Sequence, residues 1–232
     1  MMSKKNEKLD SNRYLITSVN PKSPISEQYR TIRTTIEFKL ADQGLKSFLV
    51  TSAEAGAGKS TTISNLAVTF AQQGKKVLLI DADLRKPSVH MTFRLQNRSG
   101  LTNVLTRQIS VNDAMQGTNF SENLAIISSG PVPPNPSELI GSAAMKNLID
   151  SVTEAFDIVL IDTPPLSAVT DAQILSRYIG GAVIVVRANQ TKKESVTKAK
   201  KLLDQVNANI LGVVLHGVEA SDSAYYYYYG AE

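Results

Sequence analysis

The segment Ser52-Ala-Glu-Ala-Gly-Ala-Gly-Lys-Ser-Thr61 joins the apolar run Ser47–Thr51 to a helical pattern over Lys59–Gln72. A strand, a glycine-rich turn and a helix opening on Lys-Ser form the context of a phosphate-binding P-loop. Gly56 and Gly58 let the backbone approach phosphate oxygens and aim N–H groups at them, with the positive end of the helix behind. Lys59 adds a charge for the β and γ phosphates, and the Ser60 hydroxyl suits Mg²⁺. The candidate nucleotide site is therefore Glu54, Ala55, Gly56, Ala57, Gly58, Lys59, Ser60 and Thr61. Ala53 stands where such loops usually begin with glycine, while the Gly-x-Gly-Lys-Ser core is intact.

Further apolar runs of strand length follow at Lys76–Ile80, Leu124–Ile127, Ile158–Ile161, Ala182–Val186 and Ile210–Leu215. Helical patterns lie between most of them, at Ala143–Glu154, Asp171–Tyr178 and Ser195–Val206. Strands apolar on both faces, alternating with amphipathic helices, predict an α/β fold: a mostly parallel sheet with helices on both faces, of P-loop NTPase type. Ligands of such sheets bind at the carboxyl ends of the strands. Asp81 and Asp83 fall at one such end and Asp162 at another, the latter where a Walker B acid belongs. Asp157, at the start of its strand, reads as a turn former instead. The candidate Mg²⁺ ligands are Ser60, Asp81 and Asp162, and the candidate catalytic groups are Lys59, Asp81 and Asp83. On residues alone, either aspartate of the Asp81/Asp83 pair can serve as base or as metal ligand.

Composition narrows the classes. The 232 residues contain no cysteine, which excludes disulfides, thiolate metal sites and iron–sulfur ligation. The two histidines, His90 and His216, are far apart and read as structural or surface residues. No apolar run approaches the roughly 20 residues that cross a bilayer, and the polar N-terminus has no signal-peptide core. The expected location is the cytosol. The net charge is +4, yet the residues from Gly217 onward hold three acids and no Lys or Arg. Without a dense basic stripe, a nucleic-acid partner is not expected.

The expected domains are a flexible N-terminal arm over residues 1–20, a P-loop domain over 21–216 and a flexible tyrosine-rich tail over 217–232. Ser26 is the expected cap of a first helix, Glu27 to Asp42, with Tyr29, Ile32, Ile36 and Leu40 on one side. Lys192, Lys193, Lys198, Lys200 and Lys201 read as a solvated helix face, with binding of a phosphorylated tail or anionic lipid as the lesser reading. Five consecutive tyrosines, Tyr225, Tyr226, Tyr227, Tyr228 and Tyr229, have small and polar neighbours that suit an exposed segment better than a core strand.

Taken in order, several segments resemble the bacterial protein-tyrosine kinases of capsule and exopolysaccharide synthesis. They are Glu27-x-x-Arg30-x-x-Arg33, the P-loop, Asp81-Ala-Asp83-Leu-Arg85 (the family's second Walker motif), Gly130-Pro-Val-Pro-Pro-Asn-Pro-Ser-Glu138, Asp162-Thr-Pro-Pro and the tyrosine cluster. The resemblance runs from about Pro21 to the end of the chain. It implies ATP and Mg²⁺ as cofactors, with Lys59 on the phosphates and Ser60 and Asp162 on the metal. Asp81 would accept the proton of the incoming tyrosine hydroxyl, and Asp83 would support metal and base. Tyr225–Tyr229 would be phosphoacceptors, reached between subunits, and Glu27, Arg30 and Arg33 would join subunits in a ring. From Gly217 to Tyr227 the extended tail spans at most about 35 Å, enough to reach a neighbour. The resemblance also implies a separate membrane adaptor whose cytoplasmic tail activates the kinase at the inner face of the plasma membrane. Protein-tyrosine substrates and a cognate phosphatase are implied with it.

The rival reading is a P-loop ATPase switch of the partitioning or septum-positioning type. Such switches carry a second lysine five residues before the first; here that position is Glu54. They also use a lipid-binding C-terminal helix, where this chain has its tyrosines.

Overall fold

The computed structural model describes residues 15–218. In chain order they form α1 (Ile16–Val19), α2 (Pro24–Ala41), β1 (Ser47–Ser52), α3 (Lys59–Gln72), β2 (Val77–Asp81), α4 (Val89–Phe93), α5 (Leu101–Leu105), α6 (Val111–Ala114) and β3 (Met115–Thr118). There follow β4 (Ser121–Ile127), α7 (Pro136–Ile140), α8 (Ala143–Ala155), β5 (Ile158–Asp162), α9 (Asp171–Leu175), β6 (Gly181–Arg187), α10 (Lys193–Asp204) and β7 (Ile210–His216).

The strands make one seven-stranded sheet in the order β3-β4-β2-β5-β1-β6-β7. Every pairing is parallel except the β3–β4 edge pair. Alternating side chains enter two cores, as a period of two requires. Leu49, Leu78 and Ile80 join α8 and α9 residues on one face, while Phe48, Val77 and Leu79 join α2 and α3 on the other. Helix α3 is buried along its whole middle, with Phe70 packed on Phe48 at a centroid distance of 6.2 Å. This burial fixes the direction in which Lys59, at its first turn, faces the strand ends. Among the described residues, no helix is long and apolar enough to cross a membrane.

The chain is packed from Leu15, not from Pro21. Leu15 and Thr17 are buried, and the Thr17 N–H and hydroxyl both donate to Asn65 Oδ1, at 3.1 and 2.9 Å. Residues 15–18, expected in the flexible arm, are therefore packed against the domain through Leu15 and Thr17, while Val19 and Asn20 are exposed. Helix α2 also begins earlier than Glu27. Ser23 is its cap, accepting from the Ser26 N–H at 3.1 Å, and Pro24 takes the first turn, where its fixed φ and missing N–H suit it. Ser26 is instead a buried residue whose hydroxyl donates to Asn20 O at 2.7 Å. Strand β3, Met-Gln-Gly-Thr, is polar and held by its antiparallel partner, so its sequence carries no apolar run. The helical patterns at Asp171 and Ser195 shift by a few residues, to α9 and α10.

Candidate functional site

The site forms where β1, β2 and β5 end beside the start of α3. Register puts Asp81 directly beside Asp162 on neighbouring parallel strands. The residues after β5 are laced to β1: Thr163 donates to Val50 O from both N (3.1 Å) and Oγ1 (2.9 Å), and Thr51 Oγ1 donates to Pro164 O at 2.9 Å. Asp162 and the phosphate loop are thus held by one set of bonds.

In the loop, Gly56 and Gly58 have φ of +77° and +91°, a region that L side chains rarely occupy. A Cβ at Gly58 would also lie 2.4 Å from the His216 ring, so that position excludes a side chain on two grounds. Ser52 Oγ donates to Glu54 O at 2.7 Å and closes the turn. Ala53, the departure from the usual glycine, is buried in the core, while Ala55 and Gly56 are exposed at the rim.

Lys59 is the hub. Its ammonium donates to Asp83 Oδ2 at 3.1 Å and to Ser60 Oγ at 3.2 Å, and lies 3.6 Å from Asp162 Oδ1. Burial pulls the Lys59 pKa down, but the Asp162 and Asp83 carboxylates outweigh it and hold the pKa above the ordinary lysine range. Asp162 is fully buried; its carboxylate oxygens lie just beyond good hydrogen-bond distance of any donor, with the Lys59 ammonium at 3.6 Å and the Ser60 hydroxyl close by. Burial pushes its pKa up against the pull of Lys59.

Asp81 has a different environment. Its Oδ1 accepts from the Asp83 N–H at 3.2 Å, and its Oδ2 from the Ser88 and Val89 N–H groups at 3.1 and 3.0 Å. It therefore pins the 82–89 loop as well as facing Asp162. Burial, then the Asp162 charge, push its pKa up to about 7, against the Val89 N–H. Asp83 retains Lys59 on one oxygen and the Lys86 N–H (3.0 Å) on the other. The structure thus brings Lys59, Ser60, Asp81, Asp83 and Asp162 together. Asp157 stays apart, accepting from the Lys76 N–H at 2.8 Å at the opposite end of the strands, a structural role.

Two groups at this edge carry no motif. Arg187 ends β6 and donates to Gly56 O at 3.4 Å, and His216 ends β7 with its ring against Gly58. Burial and the Arg187 charge lower the His216 pKa, so the ring packs as a neutral group. Their signal was position at the carboxyl end of a strand. Arg85 and the proline-rich loop also meet: Arg85 Nε donates to buried Asp171 at 3.2 Å and its Nη2 to Ser137 Oγ at 2.8 Å. Ser137 Oγ in turn donates to Asp171 at 2.6 Å.

Glu27, exposed, and Arg30, half-buried, pair on the outer side of α2, where Arg30 also donates to Pro21 O at 2.8 Å. Arg33 turns inward and donates to Thr69 O on α3 at 3.2 Å. Tyr225–Tyr229 lie outside the described residues.

A family model, ParA, described as the NUBPL iron-transfer P-loop NTPase, matches residues 45–220. The chain has no cysteine to supply thiolates for iron transfer. It is 49% identical to the tyrosine-protein kinase YwqD of Bacillus subtilis over 232 residues, covering 100% of this chain and 98% of that one. It is 43% identical to the putative tyrosine-protein kinase CapB of Staphylococcus aureus, covering 91% and 93%. The kinase domain of Escherichia coli tyrosine kinase ETK superposes with a TM-score of 0.86 at 33% identity, covering 90% of this chain and 82% of that one. The chain belongs to the family of bacterial protein-tyrosine kinases built on the P-loop NTPase fold.

Proposed function

We propose that this kinase uses ATP and Mg²⁺ to phosphorylate its own C-terminal tyrosines, Tyr225–Tyr229, between neighbouring subunits, and so regulates capsule or exopolysaccharide synthesis. The observation that carries the reading is where the tail departs. Strand β7 ends at His216, against Gly58 of the phosphate loop, so the chain leaves the described residues beside that loop, and the proposed acceptors begin nine residues later in sequence. Phosphoryl transfer depends on positioning and charge neutralisation more than on covalent chemistry. The loop N–H groups and Lys59 would hold the β and γ phosphates. Asp162, whose buried carboxylate oxygens are not saturated by hydrogen bonds, and Ser60 beside it would hold a divalent cation. Mg²⁺ bound there would supply neutralisation of the phosphate charge.

Asp81 would take the phenol proton, since a carboxyl near pH 7 is matched to that task. Asp83 would keep Lys59 aimed and support metal and base. The Asp81→Asn variant also weakens the 82–89 loop, so both Mg²⁺-ATP affinity and transfer rate need measuring. Full transfer rate in Asp81→Asn would remove the base role; a lost rate with near-normal affinity supports it.

Glu27 and Arg30 offer an exposed charged surface for a ring of subunits, with Arg33 bracing it on α3. A separate membrane adaptor's cytoplasmic tail would activate the kinase at the inner face of the plasma membrane, and a phosphatase would reset it. The kinase reading is tested with labelled ATP and Mg²⁺, followed by tryptic mapping. No Lys or Arg follows Lys201, so the last tryptic peptide contains all five tail tyrosines and no others. Label there, absent in Lys59→Met, supports the kinase; release of free phosphate alone would indicate the switch ATPase.

A further inference from the structure

Among the described residues, strand β7 is the edge of the sheet and pairs only with β6. Its Val213 and Leu215 side chains are 56% and 57% exposed, which is unusual for two neighbouring apolar residues on one strand face. They form one wall of a groove of about 620 Å³ between β7 and α10, with Ile184 and Val196 also lining it. The rim of that groove is cationic: Arg187, Lys193 and Lys200. The same helix continues the charge in a shallower adjoining depression with Lys198 and Lys201, where Glu194 is the lone acid. Lys200 pairs with Asp204 at 2.7 Å, an exposed pair that a doubly charged anion can displace.

An apolar floor under a cationic rim matches an aromatic ring carrying a phosphate. The chain itself supplies such a group. Residues 219–232 lie outside the described residues, begin one residue after Val218, carry Glu219, Asp222 and Glu232, and have no Lys or Arg. Gly217, with φ of +74°, provides a turn at the end of β7. From Val218 to Tyr225 the chain extends at most about 24 Å. The groove runs back along β7 for about 17 Å, so the cluster can lie over it.

We propose that the α10–β7 groove binds the chain's own C-terminal segment once it is phosphorylated, with the tyrosine rings on Val213 and Leu215 and the phosphates at Lys193 and Lys200. Each phosphotyrosine adds roughly 1.5 to 2 negative charges, so occupancy rises with phosphorylation. A tail held on its own subunit is withdrawn from a neighbour's active site, and the anion beside Arg187 competes with its bond to Gly56. The regulatory role rests on the tail phosphorylation proposed above; the groove's specificity does not.

The test uses synthetic peptides of residues 217–232, with and without phosphate on the tyrosines, added to the phosphatase-treated full chain and followed by fluorescence anisotropy. The phosphopeptide should bind at least tenfold more tightly than the unphosphorylated one. The double variant Lys193→Glu/Lys200→Glu should weaken it at least tenfold, as should Val213→Asp, while Lys146→Glu on α8 leaves it unchanged. Circular dichroism melts should match the parent's, and if Val213→Asp does not fold, Val213→Ser replaces it. Equal binding of the two peptides, binding indifferent to the groove variants, or no phosphopeptide binding overturns the proposal. So does a groove variant that abolishes self-association, or binding to phosphatidylserine-rich vesicles, without affecting phosphopeptide. Because the phosphate is supplied on the peptide, failure here leaves the kinase reading intact, and failure of autophosphorylation leaves this site intact.

Discussion

At residue scale, the site is a lysine held by acids, beside a loop with two left-handed glycines, one of which has no room for a side chain. Gly58→Ala forces a Cβ to within 2.4 Å of the His216 ring and into a left-handed φ that costs an L residue about 1–2 kcal/mol. We expect nucleotide affinity, read by calorimetry, to fall at least tenfold. The double variant Gly58→Ala/His216→Ala should recover part of the loss, because the clash is removed and the strain is not. Full recovery would show that the left-handed backbone is dispensable. Asp83→Asn removes the nearest charge from Lys59 while Asp162 remains at 3.6 Å. Transfer rate should fall more than Mg²⁺-ATP affinity, since the lysine is still charged but less well aimed. The phosphate loop and its three aspartates were legible because charged groups at strand ends and paired glycines are local signals. Arg187 and His216 were not, because only β6 and β7 running parallel beside β1 bring their ends to the loop.

At the scale of elements, parallel strands and the long helices were readable from apolar runs, since each is buried on both faces or on one. Strand β3 was not, because its pairing partner rather than its own side chains makes it a strand. The segment Leu15–Asn20 reads as an arm because it is too short to show a period and ends at Pro21; its fixing bonds go to Asn65, 48 residues away from Thr17. Asn65→Ala should therefore destabilise the fold by about 1–3 kcal/mol, the cost of leaving buried donors unpaired, read from urea unfolding. A change below a few tenths would mean that α1 is not part of the cooperative unit. Helix α2 starts where a Ser-Pro pair sits rather than at the next serine. Ser23→Ala should cost about 0.5–2 kcal/mol by the same measurement.

For the whole molecule, one sheet gathers the phosphate loop, the strand-end acids and the departure point of the tail at its carboxyl edge. Kinase family membership follows from that arrangement together with the relatives it matches across their length. Assembly is the larger-scale question. The Glu27–Arg30 pair is exposed, so Arg30→Glu should change monomer stability by no more than about 1 kcal/mol. Light scattering should nonetheless report a smaller assembly; unchanged mass would remove Arg30 from the subunit contact. The most direct measurement mixes two variants with labelled ATP and Mg²⁺. One is Lys59→Met with its tail intact; the other is active but has Tyr225–Tyr229 replaced by Phe. Transfer between subunits predicts label on the C-terminal tryptic peptide of the Lys59→Met chain. A Lys59→Met chain that stays unlabelled, while the parent protein labels itself, would contradict it.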